Sequence, residues 1–458
     1  MLSSIQHRLL HSQIQEGKST LKNHSKITRR DFLQKASGAA ISAFCVPYFI
    51  PSTVLGRNAT ISPGDQITIG CIGVGGMGTA NMRGFLELPA ARVVAVCDVD
   101  ANHRERAKKI VNEKYGSQDC TTHNDFRELL TRQDIDAVMI AVPDHWHGIM
   151  GVAAARAGKD IYGEKPLAYT ISEGRAVCDA VNHYGRIWQT GSWQRSQRHF
   201  RFACELVRNG RIGKVHTVRV GLPHGNNIRN NGTQPAPPPD GFDYNMWLGP
   251  APDRPYNPSR CHWNFRWISD YSGGQLTDWA GHHIDIANWG MDTEHSSPVE
   301  ITGQATFPPA KDGLFDTPPG YYFECQYAEG FTMIVADSTQ QPKGMGTHFI
   351  GTEGWVHVSR QGLATHPESL QSSVIGPNEI HLYESNNHYA NFLECVRSRA
   401  QTITPVEAAH HAIMAGHLGN IAMKLGRKVR WNPRAERFVN DPDADRYLSR
   451  PMRSPWHL

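Results

Sequence analysis

Lys165 stands in Gly163-Glu164-Lys165-Pro166, directly after the short apolar run Asp160-Ile161-Tyr162. An ammonium held where a buried strand ends can polarise a carbinol or carbonyl oxygen and relay its proton. The same lysine on a solvated surface would do nothing, so its surroundings decide its meaning. A second constellation runs from Gly273-Gly274 through Asp278-Trp279 to His282-His283 and Asp285. On a helix Asp278 and His282 share a face, with Asp285 one turn further on. A carboxylate and an imidazole so placed exchange protons near neutral pH. Two other readings stay open: an N-cap aspartate beside a packed histidine, and a zinc site that also draws on His145 and His147. Because Lys165 offers a metal-free way to polarise a substrate, the expected site contains no metal.

A hydride acceptor would complete this chemistry, and the chain holds a place for one. The β-branched run from Ile67 ends in Gly73-Val74-Gly75-Gly76-Met77-Gly78, and an amphipathic segment follows. Strand, G-x-G-x-x-G and helix in that order form a dinucleotide cradle. Gly73 allows the tight turn, Gly75 the close approach of a pyrophosphate, and Gly78 the packing of helix on strand. The helix N-terminus then offers free N–H groups to the phosphates. A second run, Arg92 to Cys97, ends on Asp98, twenty residues past Gly78, where a carboxylate accepts from the adenosine ribose hydroxyls. Its charge repels a 2′-phosphate and so favours NAD over NADP, although Arg104 and Arg106 lie nearby. Further cofactor contacts are expected from Pro143 and His147, and from Glu164 and Lys165, because ligands bind at the carboxyl ends of parallel strands.

The elements that must position these groups alternate between periods of two and 3.6 residues from 60 to about 190. Strands are expected at 66–72, 92–97, 136–142, 160–162 and 186–190, and helices at 77–88, 102–115, 125–131, 147–157 and 172–184. A second domain, 191–432, opens with a helix at 197–209 and a strand at 214–221. It continues through a Pro/Asn/Gly-rich insertion, 223–258, to antiparallel strands at 330–337 and 354–359 and helices at 390–399 and 405–425. Residues 433–458 read as a tail. Seven of the eleven tryptophans fall between 188 and 289. Flat apolar faces among Asn, His and Arg suit a sugar ring, which makes Trp193, Arg195, Trp263, Asn264 and His283 candidate substrate contacts.

The net charge of +4 misleads if taken whole, since residues 1–60 carry eight Lys/Arg against Glu16 and Asp31 and the remainder is about −2. Nothing there suits nucleic acid. In the first 59 residues Arg29-Arg30-Asp31-Phe32-Leu33 precedes a modest apolar run, 36–50, which resembles a twin-arginine export signal. That run is too short to anchor the mature chain as a spanning helix. The expected location is periplasmic or membrane-associated, with Cys45 a poor candidate for lipidation. The other eight cysteines lack framework spacing, and Cys71 and Cys97 sit in expected buried strands, so no disulfide of consequence is expected.

Together, the Gly73–Gly78 fingerprint with Asp98, the loop Pro143–His147, Glu164-Lys165-Pro166 and the Asp278/His282 segment resemble the Gfo/Idh/MocA oxidoreductases across 64–432. The resemblance implies an N-terminal Rossmann domain and a C-terminal α/β domain with a large open, mainly antiparallel sheet, often used for homodimers or homotetramers. It implies NAD(P), a sugar or glycoside as substrate, and Lys165 with His282 as the catalytic pair, Asp278 orienting or relaying. Asp144 departs from the family's asparagine, and His283 beside His282 leaves open which imidazole works. Outside the cytoplasm a net dehydrogenase lacks a replenished cofactor pool, so the expected activity is redox-neutral with NAD retained. An NAD-dependent glycosidase acting by oxidation, elimination and hydration is the alternative, followed by a non-catalytic sugar- or nucleotide-binding module and a zinc hydrolase.

Overall fold

The computed structural model describes residues 62–225, 227–229, 231–309 and 314–458. The expected leader, with Arg29-Arg30 and Cys45, lies outside them. β1 (Ile67–Ile72), β2 (Ala91–Cys97), β3 (Thr121–His123), β4 (Ala137–Ile140), β5 (Asp160–Gly163) and β6 (Trp188–Thr190) form one parallel sheet in the order β3-β2-β1-β4-β5-β6. That is the doubly wound dinucleotide-binding order, with its switch point between β1 and β4. Each of the first five strands is followed by a helix: α1 (Gly76–Leu86), α2 (Ala101–Tyr115), α3 (Phe126–Leu130), α4 (Asp144–Arg156) and α5 (Ile171–His183). The four residues of β4 and the four of β5 are all buried, as strands covered on both faces must be. β3 escapes a hydropathy reading because Thr-Thr-His has no apolar run.

The second sheet has nine strands in the order β13-β12-β11-β7-β10-β9-β8-β14-β15. They are β7 (Val215–Leu222), β8 (Glu300–Ala305), β9 (Tyr321–Gln326), β10 (Thr332–Asp337), β11 (Gly346–Gly351), β12 (Trp355–Ser359), β13 (Gly362–His366), β14 (Val429–Asn432) and β15 (Arg437–Phe438). The pairing is antiparallel except that β10 runs parallel to β7, so the strand expected at 330–337 is antiparallel on one side only. Beside the sheet lie α6 (Arg198–Arg208) and α8 (Gln275–Met291), while α7 (Tyr244–Leu248) falls inside the insertion. After them come α9 (His388–Ser398), α10 (Val406–Leu425) and α11 (Pro442–Asp445). Among the described residues no helix is long and apolar enough to cross a membrane, and the eight cysteines are buried and unpaired.

The chain then returns to its first sheet. Phe392 of α9 packs on Phe85 and Tyr162, and the expected tail docks through Arg450, paired with Glu173, and Trp456, edge-on to Trp146 at 4.6 Å.

Arg195 is a correction to the substrate expectation. Only 2% exposed, it forks onto both oxygens of Asp285 at 2.6 and 2.7 Å and also pairs with Glu294. Its guanidinium bonds, four counting one to the Ile403 carbonyl, hold α8 against the chain before α6 rather than reaching for a sugar. Asp285 is thereby removed from any zinc set. Arg195→Ala should cost about 3–5 kcal/mol, because two carboxylates lose their counter-charge, read as a lower denaturation midpoint by circular dichroism.

Burial also depresses several histidines: His145 and His283 to about 3, and His388 and His417 to about 4. Unfolded, each titrates near 6.5, so between there and pH 4 the unfolded chain binds more protons and stability falls as pH falls. Denaturant titrations from pH 7 down to 4 should show this loss, each histidine contributing up to about 1.4 kcal/mol per pH unit.

Candidate active site

A cleft of about 770 Å³ runs from the carboxyl end of the parallel sheet to the start of α8. Gly73, Gly75, Gly76, Met77, Gly78, Asp98, Pro143, Glu164, Lys165, Trp263 and Asp278 all line it, so most of the expected site residues converge. At its first end, a Cβ on Gly78 would sit 1.8 Å from the Gly73 carbonyl oxygen, so only glycine lets α1 start that close to β1. Gly75 caps α1 without any side-chain bond, and the space beside Gly76 is open. The first N–H groups of the helix therefore face the cleft unclaimed, as a pyrophosphate requires.

Asp98 directly follows β2 and is fixed by two backbone donors, Val74 N–H at 2.8 Å and Asp100 N–H at 3.0 Å. The two arginines that might have read a 2′-phosphate are turned to other acceptors: Arg104 to the Asp98 carbonyl and Asn124, Arg106 to the Val74 carbonyl. With a carboxylate at the ribose position and no free guanidinium beside it, the cradle fits NAD.

His103 and His262 were not anticipated. His103 lies 3.4 Å from Asp98, whose hydrogen bond raises the imidazole, and His262 reaches it edge-on from the insertion's far side, in a left-handed backbone conformation (φ 54°). With Asp100 they form a group of three whose ligand atoms all lie within 4.8 Å of one another. No sequence spacing links 103 to 262.

The other end is built on one contact. Lys165 Nζ donates to Asp278 Oδ1 at 2.9 Å and to the Asp278 carbonyl at 2.7 Å. Gly281, one turn along α8, makes room for the lysine stem, since a Cβ there would lie 3.0 Å from Lys165 Cβ. Arg266 Nε adds a bond to the same Asp278 oxygen at 3.3 Å. Burial works to raise the Asp278 carboxyl, but Lys165 and Arg266 outweigh it and hold the group below the usual range. Asp278 is thus an ionised acceptor tied to two cations.

Behind this pair, Glu164 is buried and accepts from Asn81 at 2.9 Å, and burial pushes its carboxyl up. Asp144, fully enclosed, accepts from Ser272 at 2.6 Å and is also pushed up by burial. A carboxyl held toward its neutral form can donate as an amide does. His147 does not reach the cleft. Its two ring nitrogens face the carbonyls of Val142 and Pro166, so it staples together the two loops that carry Pro143 and Lys165.

Four other expected residues are placed elsewhere. His282 lies outside the lining, one turn behind Asp278 between Trp193 and Trp279; burial and then Lys165 push it well below the ordinary histidine value. His283 is wholly buried, with both ring nitrogens unpartnered, and the charges that reach it are Arg360 and His357 rather than Lys165. Of the two imidazoles, His282 is the one coupled to the lysine. Trp193 stacks under Arg360 at 4.5 Å, and Asn264 is buried beneath the insertion, so neither faces the cleft.

Trp263 does line it, with Arg229 at 4.3 Å and Arg266 at 5.0 Å from its ring centre. Asp278 is bound to cations and Asp285 to Arg195, which leaves no convergent zinc set on α8.

The family model for the NAD-binding Rossmann fold of the Gfo/Idh/MocA oxidoreductases matches residues 67–192, and that for the C-terminal alpha/beta domain matches 198–458. An uncharacterized oxidoreductase of Bacillus subtilis is 30% identical over 291 residues, 63% of this chain and 72% of that protein. An alpha-N-acetylgalactosaminidase of Shewanella oneidensis is 31% identical over 166 residues, so the match spans 34% of this chain and only 33% of that protein. The crystal structure of an aldose-aldose oxidoreductase from Caulobacter crescentus, at 20% identity, shares the fold with a TM-score of 0.58 over 80% of this chain and 99% of that one. With each of its two sheets inside one of the family's domain models, the chain belongs to the Gfo/Idh/MocA oxidoreductases and carries their NAD-binding Rossmann fold.

Proposed function

We propose that the protein oxidises and re-reduces a sugar or glycoside hydroxyl with an NAD that stays bound through the cycle. The observation that carries this reading is the Lys165–Asp278 contact inside the same cleft as the Gly73–Gly78 cradle. When bound, NAD supplies the hydride acceptor. The Lys165 ammonium binds the substrate hydroxyl oxygen, and as the hydroxyl proton moves to Nζ, one Nζ proton moves to Asp278 Oδ1. The relay leaves no new charge on the lysine. Arg266 keeps Asp278 ionised and oriented beforehand, and His282, held neutral one turn behind, serves as the relay's reserve acceptor. Met77, in the first turn of α1, and Phe242 and Trp247 give the cleft apolar walls.

Retention is supported by the insertion. Gly241–Asp243 lies across the loops that follow β2 and β3: Ala101 N–H donates to the Gly241 carbonyl at 2.9 Å, and Asp243 N–H to the Val99 carbonyl at 2.9 Å. Asn124 donates to Asp243 at 2.8 Å, and Asp100 bridges to Phe242. The strap closes over the loop that begins at Asp98, so the adenosine end is walled by a second segment of chain. An exported enzyme, as the twin-arginine-like leader suggests, needs such a wall, because lost NAD is not replaced outside the cytoplasm.

The similarity to the alpha-N-acetylgalactosaminidase favours a second reading, cleavage of a glycoside by oxidation, elimination and hydration on the same relay. Aglycone release with no net NADH would separate that reading from sugar–sugar oxidoreduction.

Lys165→Met should lower kcat by about 10²–10⁴-fold while the denatured protein still releases a full complement of NAD(H), measured by absorbance. Full activity in this variant would remove the lysine from the mechanism. Purified wild type should release about one NAD(H) per chain on denaturation, and Asp243→Ala, which unfastens the strap from Asn124 and uncaps α7, should purify partly empty and regain turnover with added NAD. A wild-type chain that purifies empty and works only with added cofactor would overturn retention.

A further inference from the structure

The substrate half of the cleft carries a cation that no carboxylate answers. Arg229, in the insertion, lines the cleft with Arg266 and Lys165. Lys165 and Arg266 share Asp278, but no ion pair among the described residues includes Arg229. Its position is nonetheless built. Asn264, wholly buried, accepts from the Arg229 N–H at 2.9 Å and donates to the Arg229 carbonyl at 2.5 Å, so one side chain clamps that backbone from both sides. The guanidinium lies 4.3 Å from the ring centre of Trp263, and Trp263 is itself fixed by its indole N–H on the Asn227 carbonyl at 2.8 Å. A stacked, preorganised guanidinium presents its planar fork of donors without losing more side-chain freedom on binding.

The remaining charges sharpen this. Three cations, Lys165, Arg229 and Arg266, face this half of the cleft, against Asp278 and the two enclosed carboxyls of Asp144 and Glu164. Both enclosed groups already accept hydrogen bonds, from Ser272 and Asn81, and burial disfavours their ionisation. The local field is positive and gathers anions. A neutral hexose offers hydroxyls only and leaves the fork of Arg229 facing water, whereas a carboxylate matches it with two parallel bonds.

We propose that the substrate is an acidic sugar, a hexuronate or its glycoside, whose carboxylate is received by Arg229 on its Trp263 platform while Lys165 engages the hydroxyl that is oxidised. This rests on the sugar-oxidoreductase reading above and names its substrate class.

The test uses the as-purified full-length protein with matched methyl hexosides, methyl hexuronides and 6-sulfated hexosides of gluco, galacto and manno configuration. Binding is followed by calorimetry, and turnover by NADH absorbance with product analysis. One hexuronide should bind and turn over at least about tenfold better than its neutral partner. Arg229→Gln should lower that preference by about tenfold to a hundredfold, with Arg229→Lys keeping part of it. Neutral hexosides that match or beat their uronides in every configuration would overturn the proposal. So would sulfated sugars that bind tighter than uronides, or a preference unmoved by Arg229→Gln. Hexuronide binding that depends on Arg229 but yields neither NADH nor product would uphold this inference and fell the redox reading. Turnover confined to neutral sugars would do the reverse.

Discussion

The contact between Lys165 and Asp278 joins the two halves of the molecule at the point where chemistry would occur. Lys165 is delivered by β5 of the parallel sheet, and Asp278 by the first turn of a helix that packs on the other sheet. Both side chains are about nine-tenths withdrawn from water, so neither charge is tolerable without the other. Much of the neighbourhood follows from that requirement. Gly281 must be bare for α8 to approach the lysine stem, and Arg266 must supply a second cation for the carboxylate to stay ionised. His147 must hold the Val142 and Pro166 carbonyls so that the lysine's loop keeps its place. A buried ion pair is weak evidence of stability, but it is a strict device for register, and here it fixes the distance between cofactor cradle and substrate wall.

The insertion makes a second junction of a different kind. Over the adenosine end it touches the parallel-sheet half through backbone bonds at Val99 and Ala101 and one side-chain bond from Asn124, with no ion pair among them, while His145 and Trp146 bond the Trp247 carbonyl further along. Backbone ladders of this sort are cheap to open locally compared with a buried charge pair. The molecule therefore has a firm hinge at Lys165–Asp278 and a softer seam over the adenosine end.

The sequence reveals the parallel sheet almost completely, because its strands are apolar runs of the right length and its loops announce themselves with Gly, Pro and Asp. The cofactor cradle is equally legible, since Gly73, Gly78 and Asp98 act within one βαβ unit. What escaped the reading depends on long-range pairing. Arg195 looks like a sugar contact beside Trp193, and only the fold brings Asp285 and Glu294 to it from about ninety residues away. His103 and His262 meet across 159 positions with no shared motif. Arg229 lies in a stretch whose composition says only that it is a loop, and the buried carboxamide that organises it comes 35 residues later. The Asp278/His282 stretch reads as a helix, yet periodicity does not say which of the two faces the lysine, because both lie on one stripe and one turn of rise separates them.

Charge placement along the cleft completes the picture. At the adenosine end a carboxylate is fixed and two nearby arginines are turned onto carbonyls and an amide, so that end refuses extra phosphate. At the other end two carboxyls are buried toward neutrality while three cations line the cleft, Arg229 at its exposed rim, so that end favours an anion. A dinucleotide already brings its own negative diphosphate to the middle, where α1 offers unclaimed N–H groups. An anionic substrate entering beside it would be repelled by that diphosphate unless the wall supplied compensating charge. Asp278 needs only part of the charge that Lys165 and Arg266 carry, and Arg229 adds to the surplus. The positive wall is therefore what permits a negative cofactor and a negative sugar to share one enclosed space.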